Sequence, residues 1–278
     1  ANPSTAYLSE LLVGALHGAA QHAIQLTLDT WSTLDDAAMR TAAKTIAANA
    51  SGVILPPPLC ESTMLIQGLR DRHVPAVAVA AGYFNNLISS VRIDDFVASR
   101  EITDLVIKAG HRRIAYIKGH RQQASSARRF EGFRAALAAA GIAADPALEA
   151  QGDFTYRSGL TATEHLLALR DPPTAICAGN DDMAAAAISA AHRRGLQVPR
   201  DLSVVGFDDT PIATTVWPEL TTVHQPIATM AASAVEILLQ ASAPDAEGTR
   251  IVVDRVMAHH LVERGSVSAP GAEGPDRA

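Results

Sequence analysis

The 278-residue chain is 48% hydrophobic and 19% charged, the composition of a globular protein long enough for two domains or lobes. Its formal net charge of -6 argues against a free-standing nucleic-acid binder, because such proteins usually present a basic face. No apolar stretch is long enough for a membrane span, no signal-peptide pattern opens the chain, and its two cysteines supply neither a disulfide framework nor a zinc site. We therefore expect a cytoplasmic protein without membrane contact.

Segments with helical periodicity alternate with short apolar runs along the first half of the chain. "SELLVGALHGAAQH" predicts a helix that leads to a strand in "AIQLTL", and "DDAAMRTAAKTIAANASG" predicts a helix before the strand "VILPPP". "STMLIQGLRDRH" then precedes "VPAVAVA", and "FVASREITDLVIKAGH" precedes "RRIAYIKG". Continuous apolar runs of this length are typical of strands buried on both faces of a parallel sheet.

The same alternation continues through the second half. "SARRFEGFRAALAAAG" precedes a segment ending "LEAQGDF", "SGLTATEHLLALRD" precedes "PTAICAGN", and "DMAAAAISAAHRRG" precedes "LSVVGFDD". A short strand and a helix follow in "PELTTVHQPIATMAASAVEILLQ", and "RIVVDRVMAHHLVE" is β-rich. Residues 265–278 are predicted to be disordered, because they are rich in turn-forming residues. The repeated units predict an α/β fold with doubly wound parallel sheets.

Two apolar runs are each followed by an acidic pair. Asn180 and the pair Asp181 and Asp182 follow the first run, and the pair Asp208 and Asp209 follows the second. In doubly wound sheets, ligands bind outside the carboxyl ends of the strands. Capping of the following helix explains the first pair, since carboxylates favour helix N-termini. The Asn180 amide offers donors and an acceptor, which suits a hydroxyl-rich ligand, and Asp208 would face the same crevice if the two strands are neighbours.

Catalytic and metal-binding patterns are weak. The sequence contains no serine nucleophile elbow, no phosphate-binding glycine loop and no helical histidine pair with a glutamate. A glycosidase carboxylate pair remains open, because it depends on a separation that sequence does not supply. His259 and His260 are adjacent in a strand-like segment, so their side chains would leave opposite faces. We expect no enzyme activity, no catalytic residues, no metal and no cofactor.

An ordered series of motifs spans residues 2–226. The series is "NPSTAYLSEL", "ASGVILPPP", "SVRIDD", "AGHRRIAYIKGH", "SARRFEGFRAALAAAG", "QGDF", "PTAICAGNDDMA", "GLQVPRDLSVVGFDDTPIA" and "WPELTTVHQP". With these motifs the chain resembles the effector-binding core of the LacI/GalR (lactose-repressor) family of transcriptional regulators. Periplasmic sugar-binding proteins share this fold, so the fold alone does not establish the function.

The resemblance implies two similar doubly wound lobes, of the type I periplasmic-binding-protein kind, that clamp a small ligand. Three crossovers near Asp94, Gln225 and Pro244 would join them. The N-terminal lobe would comprise residues 1–94 and 226–243, and the C-terminal lobe would comprise residues 95–225 and 244–264.

The resemblance also implies a set of ligand contacts. Arg129 would donate a forked pair of hydrogen bonds, Phe154 would stack on an apolar sugar face, and Asn180 and Asp208 would bind hydroxyls. Gln225 would lie at the second hinge. The full set of implied ligand-binding residues is Tyr7, Pro57, Ser125, Arg129, Phe154, Asn180, Asp208 and Gln225.

Structural roles remain open for some of these residues, since Tyr7 and Phe154 also fit as core aromatics and Arg129 as a structural ion pair. The chain departs from the family pattern in "VAVAAGYF", where Ala80 and Ala81 replace a charged ligand contact. The helix-turn-helix headpiece, its hinge helix and the first strand before "NPSTAY" are not visible in this sequence.

The implied function is effector binding by the core of a DNA-binding regulator. The effector would be a sugar or sugar derivative, and its binding would close the lobes and control operator binding by the intact homodimer. Operator DNA would be contacted only through a headpiece that this chain lacks. The alternative is a periplasmic-type sugar-binding protein for transport.

Overall fold

Strand–helix units form two separate parallel sheets of four strands each. The computed structural model describes residues 4–31, 35–242 and 252–271. The chain divides into two units, each assembled from three segments. Unit 1 comprises Ala1–Ile93, Gln122–Ser125 and Pro226–Ala258, and unit 2 comprises Asp94–Arg121, Ser126–Gln225 and His259–Ala278. No described helix is both long and apolar enough to cross a membrane.

Unit 1 is built on the parallel sheet order β1-β2-β3-β9, with elements numbered along the whole chain. Its elements are α1 (Thr5–Gln21), α2 (Asp36–Asn49), β1 (Val53–Leu55), α3 (Thr63–Arg70), β2 (Ala76–Val79), β3 (Ser89–Arg92), α9 (Ile227–Ser242) and β9 (Asp254–Val256). Side chains alternate across β2, so Ala76 and Ala78 pack in one core with α2 and α3. Helix α9 contacts β1, β2 and β3 and packs along α1.

Unit 2 is built on the parallel sheet order β5-β4-β6-β7 and an antiparallel pair, β8 with β10. Its elements are α4 (Asp95–Lys108), β4 (Ile114–Lys118), most of α5 (Ala124–Ala139), β5 (Glu149–Gln151), α6 (Tyr156–Leu166), β6 (Ala175–Ala178), α7 (Asp181–Arg193), β7 (Ser203–Val205), α8 (Ile212–Thr215), β8 (Thr222–His224) and β10 (His260–Val262).

Helices cover both faces of the unit 2 sheet. Ile117 of β4 packs in one core with residues of α6 and α7. On the opposite face, the ring of Tyr116 contacts the rings of Phe130 and Phe133 of α5, with centroids 5.4 and 4.8 Å apart. The predicted doubly wound α/β fold is confirmed.

The predicted strand "AIQLTL" is wrong. Residues 24–31 belong to no strand, and Ile24 and Leu28 are 37% and 73% exposed. A strand needs a neighbour that accepts its backbone hydrogen bonds. Among the described strands β1 pairs with β2 alone, and none of them pairs with this segment.

The third crossover differs from the expectation. Strand β9 pairs with β3 and lies in unit 1, whereas we assigned residues 244–264 to the C-terminal lobe. The segment "RIVVDRVMAHHLVE" holds two strands of different sheets, and the passage into unit 2 follows Ala258. Pro244, where we placed this crossover, lies outside the described residues.

The tail is also more ordered than predicted over residues 265–271. Ser266 is fully buried; its hydroxyl donates to the Val204 carbonyl at 2.6 Å and accepts from the Thr221 N–H at 2.8 Å. Its carbonyl accepts from the Val204 N–H at 2.9 Å. Composition does not reveal such hydrogen bonds. Residues 272–278 lie outside the described residues.

Candidate functional site

The two acidic pairs lie beyond the carboxyl ends of neighbouring strands in unit 2. Strands β6 and β7 are hydrogen-bonded partners, with Cys177 opposite Val205. Asn180 and Asp181 follow β6, and Asp208 follows β7. This is the edge where ligands bind in sheets of this kind.

Asn180 is the N-cap of α7. Its Oδ1 accepts from the Met183 N–H at 3.1 Å, and its Nδ2 donates to the Phe154 carbonyl at 3.0 Å. The capping hypothesis assigned this task to Asp181 and Asp182, which instead occupy the first turn. The Asn180 amide retains one N–H and one lone pair for other partners.

Asp181 carries a fully buried carboxylate, whereas the sequence analysis interpreted it as a charge at the N-terminus of a helix. It accepts hydrogen bonds from the Thr210 N–H at 2.7 Å, the Thr210 hydroxyl at 3.2 Å and the Thr222 hydroxyl at 2.6 Å. Burial and, second, the nearby Asp208 raise its pKa well above the usual range. Asp181 therefore ties α7 to the loop after β7 and to β8.

Arg129 of α5 lies at the centre of the polar cluster and is 5% exposed. Its Nε donates to Asp95 Oδ1 at 2.7 Å, and its Nη1 donates to the Gly179 carbonyl at 2.7 Å and to Asp208 Oδ1 at 3.3 Å. The guanidinium carbon lies 3.6 Å from the Phe207 ring centroid. Burial would lower the pKa of Arg129, but Asp95 and Asp208 raise it overall, so the side chain stays charged.

Asp95 was missed by the sequence analysis. It is buried in the first turn of α4, directly after the N-cap Asp94. The only available signal was the doubled acidic residue in "RIDD", and nothing in that signal distinguishes a helix cap from a buried partner of an arginine. The ion pair with Arg129 supports the structural role that sequence left open for the arginine.

Asp208 faces Arg129 from the loop after β7, with a backbone φ of 116°. Its Oδ1 accepts from Gln225 Nε2 at 2.6 Å. Burial raises the pKa of Asp208 to about 7, although Arg129 and the Gln225 hydrogen bond lower it and Asp182 and Asp95 raise it further. This carboxyl group therefore titrates near neutral pH.

Three polar atoms of the cluster have no hydrogen-bond partner among the described residues. They are Arg129 Nη2, Asp208 Oδ2 and Gln225 Oε1, and the last is fully buried. Buried polar groups are almost always hydrogen-bonded. The cluster can therefore still donate through the two N–H groups of Arg129 Nη2 and accept from at least two donors.

Phe154 follows β5 with a φ of 73° and is 5% exposed. Its ring belongs to the core shared with α6 and α7 and lies 5.9 Å from the Arg129 guanidinium. A Cβ at Gly119 would overlap this ring, so the position of the Phe154 ring requires glycine at residue 119. Sequence analysis did not single out Gly119.

The remaining three predicted contacts lie in unit 1. Tyr7 is buried in α1, Pro57 is buried after β1, and Ser125 is buried in the first turn of α5. The structure thus gathers five of the eight predicted residues around Arg129 and Asn180 in unit 2. Ligand contact stays a prediction for all eight. Within the described residues, no three His, Cys, Asp or Glu side chains form a group that could hold a metal ion.

Comparison with known proteins gives a consistent family picture. Residues 103–267 match the family model of the periplasmic binding protein-like domain. Catabolite control protein A of Priestia megaterium is 37% identical over 174 residues, which are 62% of this chain and 52% of that protein. The chain spans 52 to 61% of the length of several curated relatives that it matches.

Solved structures extend the similarity to nearly the whole chain. The complex of the transcriptional regulator CelR with cellobiose is 30% identical, covers 94% of this chain and 79% of its own, and has a TM-score of 0.85. A LacI family transcriptional regulator from Mycobacterium smegmatis is 28% identical, covers 96% of this chain and 98% of its own, and has a TM-score of 0.83.

Proposed function

We propose that this chain, which belongs to the LacI family of transcriptional regulators, is the effector-binding core of such a regulator and binds a sugar. The observation that carries the proposal is the unfilled hydrogen-bonding capacity of Arg129 Nη2, Asp208 Oδ2 and Gln225 Oε1 in unit 2. A related regulator was solved with cellobiose, a molecule whose hydroxyls both donate and accept.

Each free atom has a defined role in the proposed complex. Arg129 Nη2 donates to a ligand oxygen, and its guanidinium is already oriented by Asp95 and the Phe207 ring. Asp208 Oδ2 and Gln225 Oε1 accept from ligand hydroxyls. Because protein groups hold all three side chains, little side-chain entropy is lost on binding.

In the intact protein, we propose, effector binding shifts the population between conformations with different affinity for operator DNA. We propose that DNA is contacted outside this chain, which is supported by the net charge of -6 and by relatives of which the chain covers 52 and 58%. A homodimer and a cytoplasmic location belong to the same proposal. The solved relatives named above are regulators rather than enzymes or transport proteins, and nothing described favours the transport alternative.

Binding is tested by thermal shift with cellobiose, D-ribose and D-glucose on the wild type and on Arg129→Lys. Lysine keeps a cation beside Asp95 but loses the planar fork, so the variant should fold and lose the ligand-induced shift. At a hundredfold excess over its dissociation constant a ligand adds about 2.7 kcal/mol to the stability. Arg193→Lys is the matched control, since Arg193 pairs with Glu164 on an exposed surface.

A shift that persists in Arg129→Lys would place the ligand elsewhere and contradict the proposed site. A panel of neutral, amino and acidic sugars without any shift, on a folded protein, would count against sugar binding by this chain. Operator binding is tested separately, by fluorescence anisotropy of labelled operator DNA with the intact gene product, with and without the effector.

A further inference from the structure

The polar cluster of unit 2 contains more negative than positive charge. Asp95, Asp181 and Asp208 are each at most 5% exposed, and Asp182 lies near enough to raise the pKa of Asp208. Arg129 brings a positive charge into this group and forms ion pairs with both Asp95 and Asp208. The described cluster therefore contains four carboxylates and the guanidinium of Arg129.

Helix termini offset only part of this excess. Helices α4 and α7 begin at Asp95 and Asp181, and each N-terminus acts as roughly half a positive charge. About two negative charges remain when all carboxylates are ionised. Nearby Arg264 and His224 do not compensate them, because both bind the carboxylate of Asp209, at 2.7 and 3.0 Å.

The unpartnered atoms include acceptors as well as a donor group. Asp208 Oδ2 and Gln225 Oε1 lack a donor, and Arg129 Nη2, which carries two N–H groups, lacks an acceptor. A carboxylate or phosphate supplies only acceptors at neutral pH, so it would satisfy the arginine and leave the two acceptors bare. It would also bring a further negative charge next to Asp208.

We propose that the part of the effector that meets Arg129 and Asp208 is uncharged or cationic and rich in O–H or N–H donors, and that this cluster discriminates against sugar acids and sugar phosphates. The inference rests on the proposed function and adds the charge class of the effector. Burial is the main cause that raises the pKa of Asp208 to about 7, and the smaller contributions of Asp182 and Asp95 have the sign that a surplus of negative charge produces.

The ligand test compares matched sets that differ only in charge. D-glucose, D-glucosamine and D-glucuronate form one set, D-ribose and D-ribose 5-phosphate a second, and cellobiose and cellobionate a third. Isothermal titration calorimetry at about pH 8 measures the dissociation constant of each ligand. In the set that binds, the neutral or amino sugar should bind at least about tenfold more tightly than the acid or phosphate. Tighter binding of an acid or phosphate in any set overturns the proposal.

A second test needs no ligand and so separates this inference from the proposed function. Asp208→Asn removes the negative charge and keeps an oxygen for Gln225, so at about pH 8 its melting temperature should exceed the wild type's by about 2 °C or more. The pKa of Asp208 is raised on folding, so the stability from its proton is present at low pH and lost as the pH rises through 7. The advantage of the variant should therefore shrink from about pH 8 to about pH 5 and disappear only below the unfolded pKa of 3.8.

Asp171→Asn is the control, because Asp171 is 78% exposed and pairs with Arg113 at the surface. It should show no gain at either pH. A lower melting temperature of Asp208→Asn than of the wild type at about pH 8 overturns the charge surplus. If no ligand in the three sets binds, the proposed function fails, and this stability comparison still decides the charge inference.

Discussion

Asn180 stabilises two backbone segments at once. Its oxygen caps α7 and its nitrogen binds the Phe154 carbonyl, so one amide fixes both the helix start and a residue with a left-handed backbone. A capping side chain alone is worth about 1 kcal/mol. The second hydrogen bond makes Asn180 a structural residue whether or not it also binds a ligand.

His111 holds the tail segment of unit 2 and is 1% exposed. Its Nδ1 lies 2.9 Å from the Thr174 hydroxyl, and its Nε2 lies 3.0 Å from the Ser203 hydroxyl and 2.8 Å from the Ser268 carbonyl. A carbonyl can only accept, so Nε2 carries the proton in this arrangement. Burial lowers the pKa of His111, and the Ser268 hydrogen bond opposes this in part.

We predict that His111 makes the fold sensitive to acid. Its folded-state pKa lies below the unfolded value of about 6.5, so its contribution is fully present above that value and is lost as the pH falls through it. Urea unfolding of the wild type and of His111→Gln between about pH 8 and about pH 5 should give a stability difference that shrinks toward acid.

The exposed His165 provides the control, because His165→Gln removes a histidine that makes no such contacts with the tail. Its stability difference from the wild type should stay constant over the same range. A constant difference for His111→Gln as well would show that His111 keeps an ordinary pKa in the folded protein.

At the scale of elements, α1 and α9 pack closely because α1 has glycine where the two helices meet. A Cβ at Gly14 would overlap the backbone of Ala228, and a Cβ at Gly18 would come 3.1 Å from Ala232 Cα. Helix α9 also contacts β1, β2 and β3, so its position depends on this contact and on the sheet together.

Gly14→Ala should destabilise unit 1 although alanine is the better helix former. Helix propensity alone predicts a gain of about 1 kcal/mol, whereas overpacking typically costs about 1–3 kcal/mol. Because the overlap is with backbone, we expect a net loss, measured as a lower urea midpoint. Ser9→Ala, on the exposed side of the same helix, should change the stability by less than about 0.5 kcal/mol. A gain for Gly14→Ala would mean that the helices separate easily.

At the scale of the whole molecule, each unit is assembled from distant parts of the chain. Strand β9 belongs to unit 1, although the elements from α4 to β8, which build most of unit 2, lie between β3 and β9 in the sequence. Arg92 of β3 and Asp254 of β9 connect the two strands with two hydrogen bonds of 3.0 and 2.7 Å. A sheet whose strands lie 162 residues apart in sequence gains little from local folding.

Truncation after Gln225 tests this interleaving. The shortened chain lacks α9, β9, β10 and the tail segment. Unit 1 loses the helix that packs on α1 and the strand beside β3, and unit 2 loses the strand beside β8 and the Ser266 hydrogen bonds. We expect hydrogen exchange to show lost protection in α1 and β3 and retained protection in β4 and β6, whose partners all remain. A chain ending at Gly271 is the control and should match the full chain. Equal loss in β4 and β6 would mean that the two units unfold together.

The sequence determined most of the secondary structure, because helical periodicity, capping residues and apolar runs act locally. Local signals also predicted that Asn180 and Asp208 each follow a strand, and the motif series indicated the family. That the two strands are neighbours is known from the structure. Local signals wrongly predicted a strand in "AIQLTL", because a strand forms only beside a partner for its backbone hydrogen bonds. They also did not show that "RIVVDRVMAHHLVE" contains β9 and β10, which belong to different sheets.

The chemistry of the cluster was decided only by the tertiary structure. The pairing of Arg129 with Asp95, the burial of Asp181 and the hydrogen bond between Gln225 and Asp208 involve residues from five separate chain segments. Their combined charge, and hence the pKa of Asp208, depends on distance and dehydration. The sequence specifies which ionisable groups exist, and the fold decides which of them share one dehydrated space, because electrostatic interactions are strong only at short range away from water.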